Sequence, residues 1–199
     1  MVLRMSSLSP NNTDQRIVFL DRDGVINRDS PDYIKSWREF DFLPRSIDAL
    51  KILKQHAFRV FVVSNQSAVN RRMLTLKDLR LIHDKMTDAI AAGGGSLEEI
   101  FFCPHLPQEN CRCRKPKPGM LFAAQKKYGL SLSSVYMVGD RAKDVECAKQ
   151  AACGFALLVK SNHCTEEEHI LQKKNITPDY VAEDLFDAAE WIIAHRLHR

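Results

Sequence analysis

The sequence predicts an α/β protein: a Rossmann-like open parallel sheet with helices on both faces, no large cap domain, and a metal-stabilised loop. Three observations predict it. Short, wholly apolar runs such as Ile17-Val18-Phe19-Leu20 read as strands buried on both faces. These runs alternate with stretches of helical period, the pattern of a parallel sheet covered on both sides. Polar residues then follow several of the runs: Asp21 and Asp23, Ser64 and Asn65, and Asp140. In such sheets chemistry collects at the carboxyl ends of the strands. Taken alone, Asp21-Arg22-Asp23-Gly24 also suits a capped turn, because Asp and Gly punctuate strand ends. Recurrence of polar groups at later strand ends favours an active site.

The elements follow in order. Residues 1–15 are polar and form an expected loose tail, with Met5 an alternative start; the domain is expected over 16–199, with a metal loop at 103–113. After the first strand, Asn27 to Leu43 is a loop rich in polar and aromatic residues, suited to framing a site. Pro44 is expected to start a helix, with Ile47, Leu50, Ile52 and Leu53 as its buried stripe. Phe58 to Val63 is a second strand. Thr75 with Asp78 forms a capping-box pattern for a helix to about Ala92, stopped by Gly93-Gly94-Gly95. Glu99–Cys103 is a third strand, followed by a Pro-, Cys- and Lys-rich loop and a helix from about Met120 to Tyr128. Val135 to Val138, a helix through Ala148, and Phe155–Val159 continue the alternation. Glu166 to Lys173 as helix, Tyr180-Val181 as strand and Leu185 to His195 as helix complete it.

The totals bound the function. The chain has 199 residues, enough for one well-filled core, with 45% hydrophobic and 27% charged residues. A formal charge of +4 is mild, and no extended basic or aromatic stripe suggests nucleic acid. No apolar run approaches the ~20 residues that span a bilayer, and the start lacks the apolar segment of a signal peptide. A cytoplasmic monomer with neither nucleic-acid nor membrane partner is expected.

Phosphoryl transfer needs a nucleophile, a proton donor for the leaving oxygen, a hard divalent cation and donors for the phosphoryl oxygens. Asp21 and Asp23 would supply the first two, because a carboxylate can attack phosphorus and a second carboxyl two residues on can protonate a leaving group. Mg²⁺ would accept Asp21, the Asp23 carbonyl and Asp140 as oxygen ligands. Ser64 and Lys115 would hold the phosphoryl oxygens. Asp144, four residues after Asp140, shares its helical face and would support the metal or begin a salt bridge. Arg22 and Lys117 read as solvated side chains.

A second constellation is Cys103, His105, Cys111 and Cys113. Three thiolates and an imidazole have the composition of a closed, structural Zn²⁺ site, and such a site would present the adjacent Arg114 and Lys115. Reactive thiols are the alternative, disfavoured by four ligands at this density. Cys147, Cys153 and Cys164 read as buried free cysteines. His56, His83, His163, His169, His195 and His198 read as surface or satisfied residues.

Four ordered segments, Val18 to Asn27, Val62 to Ser67, Cys113 to Met120 and Met137 to Asp140, resemble the motifs of the haloacid-dehalogenase superfamily of phosphatases. More narrowly they resemble its zinc-containing branch, which holds heptose bisphosphate and histidinol-phosphate phosphatases. The resemblance runs from about Arg16 to the C-terminus. It implies Asp21 as nucleophile, Asp23 as general acid/base, Asp21, Asp23 and Asp140 on Mg²⁺, and Ser64 and Lys115 on the phosphoryl group. It further implies Asn27, Asn65 and Arg114 as substrate contacts, and a small phosphorylated sugar as substrate. The first expectation is removal of the C7 phosphate of a heptose 1,7-bisphosphate, in the making of nucleotide-activated heptose and lipopolysaccharide. Histidinol phosphate is the main rival; a non-catalytic module and a nucleic-acid end phosphatase are weaker ones.

The pattern is broken at one place. Where the family reads Gly-Ile-Ala-Arg-Gly, this chain has Ala68-Val69-Asn70-Arg71-Arg72. Strain at Ala68 and an extra charge, Arg72, near the substrate mouth are the expected consequences.

Overall fold

The computed structural model describes residues 15–161 and 164–198. The expected tail therefore lies outside the described residues except for Gln15, as do Met5 and His163. Gln15 is no part of a loose tail. Its amide donates to the Gly129 carbonyl at 3.1 Å and accepts from the Ser131 N–H at 2.9 Å.

Six parallel strands make one sheet: β1 (Ile17–Leu20), β2 (Arg59–Asn65), β3 (Glu99–Cys103), β4 (Tyr136–Gly139), β5 (Phe155–Val159) and β6 (Tyr180–Ala182). Their spatial order is β3-β2-β1-β4-β5-β6. Phe19 faces Phe61 of β2 on one side and Met137 of β4 on the other. The chain thus builds outward from β1 in one direction, then returns and builds in the other. The reversal lies between β1 and β4, and a crevice opens at such a point beyond the strands' carboxyl ends.

The helices are α1 (Ser46–Gln55), α2 (Leu76–Ala92), α3 (Gly119–Tyr128), α4 (Ala142–Gln150), α5 (Cys164–Lys173) and α6 (Leu185–Leu197). Side chains alternate along each strand, so β1 feeds two cores. Val18 and Leu20 join Leu50, Leu79, Met86 and Ile192 on one face. Ile17 and Phe19 join Leu121, Val145 and Ala148 on the other. Truncating one of the buried Leu, Ile or Met side chains among these to Ala would cost about 2–5 kcal/mol.

Two local differences from the sequence reading have physical causes. Helix α1 starts at Ser46 rather than at Pro44, because Arg45 takes a left-handed turn (φ 60°) as its cap. Its buried stripe is Ala49, Leu50 and Leu53, with Ile47 and Ile52 half-buried on the flanks. Helix α2 carries the expected capping box. Thr75 accepts from the Asp78 N–H at 3.1 Å, and Asp78 accepts from the Thr75 N–H at 3.0 Å.

Candidate active site

β1 and β4 end side by side. The Asp21 N–H donates to the Val138 carbonyl at 2.9 Å, which draws the residue after β1 towards the end of β4. Asp140 follows β4 directly. The approach is close enough to require glycine twice. A Cβ on Gly24, whose φ is +84°, would stand 2.3 Å from an Asp140 carboxylate oxygen, and one on Gly139 would stand 2.2 Å from the Asp144 Cβ. A pocket of about 210 Å³ opens above this junction. Asp21, Asp23, Ser64, Asn65, Arg114 and Asp140 all line it, so six sequence-expected residues meet there.

Beneath the pocket, Asp21, Asp140 and Asp144 bring carboxylate oxygens within 4.8 Å of one another. The buried Lys115 ammonium lies 2.9 Å from Asp21 and 2.7 Å from Asp144. Burial pushes the Asp21 carboxyl up to about 6, against the pull of Lys115 and with help from Asp144. Burial also pushes Asp140 up to about 8, with Asp144 and Asp21 adding repulsion. Burial would lower Lys115, but Asp144 and Asp21 hold its proton more firmly than usual. Lys115 thus serves two of the three carboxylates, while Asp140 has the Arg141 guanidinium at 3.3 Å but no hydrogen bond on either buried oxygen. A hard divalent cation with oxygen ligands fits this site: it supplies the missing charge and the missing partners.

Asp23 is set apart from that trio. Its carboxylate accepts from Arg22 Nη2 at 2.7 and 2.9 Å, Arg22 Nε at 3.1 Å, Asn27 Nδ2 at 2.9 Å and Gln66 Nε2 at 2.8 Å. Burial opposes ionisation, but Arg22, Asn27 and Gln66 outweigh it and hold the carboxyl below its ordinary value. The side chain is still 21% exposed, towards the pocket.

Several readings of single residues change. Arg22 is no solvated side chain: it is 1% exposed and held between Asp23 and His83, with Nη1 3.3 Å from His83 Nε2. The alternating register of a strand end turns it inward, and the Asp23 carboxylate neutralises it there. Asn27 is fully buried behind Asp23, donating to it and to the Arg28 carbonyl, and it does not line the pocket. From there it helps to position the acid. Asn65 lines the pocket, but its amide brackets the Lys115 backbone, donating to the carbonyl at 3.1 Å and accepting from the N–H at 3.0 Å. Ser64 Oγ accepts from Gln66 Nε2 at 2.8 Å. Asp144 is buried against Lys115 and also caps α4 through the Arg141 N–H at 3.1 Å.

The altered loop also differs. Ala68 is buried without a left-handed φ, whereas Arg72 has φ +59°, so the strain falls on the second lost glycine. Arg72 lines a shallow groove with Asn70 and Glu109 rather than the pocket. Asn70 donates to both Glu109 oxygens at 3.0 Å and so ties this loop to the one beyond β3.

Sequence reasoning missed Gln66, Arg141 and Lys143. Gln66 had a signal, since it directly follows Ser64 and Asn65, both already singled out. Arg141 adjoins Asp140 (3.3 Å), but its other partners, Asp29 (2.9 Å) and Glu167 (3.1 Å), come from two distant segments that no local pattern connects to it.

The loop after β3 gathers the second constellation. Cys113 Sγ lies 3.2 Å from Cys103 Sγ, 3.5 Å from Cys111 Sγ and 3.3 Å from His105 Nδ1. Cys103 lies 3.4 Å from His105 and 3.5 Å from Cys111. A tetrahedral zinc, with bonds of about 2.0–2.3 Å, needs ligand atoms at about 3.5 Å spacing, and all four fit it. Arg114 follows at once and donates from Nη1 to the His105 carbonyl at 3.1 Å. Lys117, expected at the surface, donates to the Asn110 carbonyl at 3.1 Å and closes the loop.

Comparison with known proteins agrees with this geometry. Residues 112–188 match the HAD-hydrolase-like family. The chain is 43% identical over 137 residues to the D-glycero-beta-D-manno-heptose-1,7-bisphosphate 7-phosphatase of Pseudomonas aeruginosa, covering 69% of this chain and 77% of that relative. It is 41% identical over 147 residues to the enzyme of the same name from Bordetella bronchiseptica, covering 74% and 82%. The crystal structure of D,D-heptose 1,7-bisphosphate phosphatase from B. bronchiseptica, complexed with magnesium and phosphate, superposes with a TM-score of 0.84 at 37% identity, covering 91% of this chain and 99% of that one. Fold and relatives define a phosphatase, built on a parallel sheet with its pocket at the β1/β4 reversal. The chain belongs to the HAD-like hydrolase family, as the sequence motifs implied.

Proposed function

We propose that the protein removes the C7 phosphate of D-glycero-β-D-manno-heptose 1,7-bisphosphate through an aspartyl-phosphate on Asp21. One observation carries the chemistry: Asp21, Asp140 and Lys115 converge under a phosphate-sized pocket, with the separately held Asp23 on its wall. The substrate rests on relatives named for it at 38–43% identity.

In this reading Asp21 Oδ attacks phosphorus and the bond to the sugar oxygen breaks. Asp23, facing the pocket, gives the leaving alkoxide its proton. Asp23 then takes a proton from water, whose oxygen attacks phosphorus; the bond to Asp21 breaks, phosphate leaves, and Asp21 is returned as the carboxylate and Asp23 as the acid. Ser64 and Lys115 hold the phosphoryl oxygens, while Asn65 fixes Lys115 by its backbone. Asp21, the Asp23 carbonyl and Asp140 are the residues that would hold Mg²⁺. When bound, that ion offsets the charge on the phosphoryl oxygens. Cys103, His105, Cys111 and Cys113 are the residues that would hold Zn²⁺, as a closed structural set that presents Arg114 and Lys115.

The catalytic domain spans 16–199, acts as a monomer on a small sugar phosphate, and works in the cytoplasm. Among the described residues no helix is long and apolar enough to cross a membrane, and every cysteine is free. The test is phosphate release with Mg²⁺ from both anomers of the heptose bisphosphate, histidinol phosphate, fructose 1,6-bisphosphate and a 5′-nucleotide. One heptose bisphosphate should exceed the rest in kcat/KM by at least ~10²-fold, about 2.7 kcal/mol of discrimination. A flat profile would reject the substrate and keep the chemistry.

A further inference from the structure

A bisphosphate brings two dianions, and the transferring one already has Lys115 and Ser64 beneath it. The retained one needs a cation of its own. Four of the five cations at this pocket have carboxylate or carbonyl partners. Arg22 is consumed by Asp23, and Lys115 by Asp21 and Asp144. Arg141 is shared among Asp29, Asp140 and Glu167, and Arg114 is tied by one nitrogen to the His105 carbonyl. Lys143 is different. It lines the pocket and is half-buried, yet among the described residues it makes no hydrogen bond or ion pair.

Its place in the chain is also costly. Lys143 is the second residue of α4, in the first helical turn, where the exposed N–H groups repel a cation. The same turn carries Asp144, so helix stability alone gives no reason for a lysine beside it. An unpaired ammonium on the wall of an anion-binding pocket is a ready partner for the substrate.

We propose that Lys143 is a specificity-determining residue that holds the retained, non-transferring phosphate of the substrate. The inference rests on the bisphosphate reading above and adds the residue that selects for it. The transferring phosphoryl lies over Asp21, so loss of Lys143 should weaken recognition of the second phosphate rather than the chemical step.

The experiment compares heptose 1,7-bisphosphate with heptose 7-phosphate in wild type, Lys143→Ala and Lys143→Arg, each as the full chain with Mg²⁺. The ratio of kcat/KM for bisphosphate over monophosphate should fall roughly tenfold or more in Lys143→Ala, with the loss in KM. Lys143→Arg should recover most of it, because charge is what is lost. A ratio unchanged in Lys143→Ala would overturn the proposal, as would equal losses on both substrates, which would place Lys143 on the transferring phosphoryl. A wild-type enzyme that does not prefer the bisphosphate would instead refute the substrate reading itself. A thermal melt of Lys143→Ala that departs from wild type by more than a few degrees would also count against a role confined to substrate.

Discussion

Replacing Lys115 with Met removes the ammonium paired with Asp21 and Asp144 while keeping most of the side-chain volume. At an effective dielectric of about 20, its contacts with Asp21 (2.9 Å) and Asp144 (2.7 Å) each carry about 6 kcal/mol of gross attraction. Desolvation of the three groups cancels much of this, and breaking one partner out of a buried ion pair leaves a net loss of about 3–5 kcal/mol. The loss should depend on pH in a definite direction. Asp21 and Asp140 sit at about 6 and about 8, above their ordinary value. Carboxyls raised in the folded state contribute stability below about pH 4 that is lost as pH rises through the folded values. Without Lys115 the Asp21 carboxyl rises further, so the penalty of Lys115→Met should be small at pH 5 and largest at pH 8. Urea unfolding of the metal-free protein followed by circular dichroism measures this. A penalty equal at pH 5 and pH 8 would mean that lost packing, not unbalanced charge, explains the variant, and the electrostatic account of the site would fail.

Other consequences can be checked alongside. Burial, with Arg22 beside it, pushes His83 down to about 3, so it stays neutral while an unfolded histidine protonates below about 6.5. Stability from this site is full above pH 6.5 and falls on acidification, by at most about 1.4 kcal/mol per pH unit; the difference between wild type and His83→Gln in urea titrations should show that slope, and parallel curves would refute it. Metal analysis should find one zinc per chain. Stripping it should lower kcat/KM by about 10–100-fold, because Arg114 and Lys115 leave their positions, and unchanged activity after complete removal would separate the loop from catalysis. Arg72→Gly should raise stability by about 1 kcal/mol by relieving the left-handed backbone, measured by thermal unfolding; a loss would show that Arg72 makes a compensating contact.

The fold was legible because its strands are built on short apolar runs and its helices carry local signals. Glu99–Cys103 and Phe155–Val159 have the bounds that the sequence predicts, and the Thr75–Asp78 box starts α2. Boundaries slipped where a backbone conformation decides, as at Arg45, whose left-handed turn no residue type announces. In the site, residues fixed by their own strand end were legible: Asp21, Ser64 and Asp140. The order of the strands was needed to see that β1 and β4 adjoin. Roles that depend on which way a side chain turns were not legible. Arg22 and Asn27 lie in the same motif as Asp21, yet both turn inward onto Asp23. Arg141 could not be read at all, since its partners lie at Asp29 and Glu167, far along the chain. The loop at 68–72 shows the same limit in another form: the loss of two glycines was visible, but only the backbone reveals that Arg72 bears the strain.

The central claim is that Asp21 carries the phosphoryl group. The most direct measurement is to mix enzyme, Mg²⁺ and heptose 1,7-bisphosphate, quench within the first turnover, reduce with borohydride and map the peptides by mass spectrometry. An aspartyl-phosphate is reduced to homoserine, so the account predicts homoserine at position 21 and none in Asp21→Asn, which should also lose turnover. Homoserine at another aspartate, or substantial activity in Asp21→Asn, would contradict it.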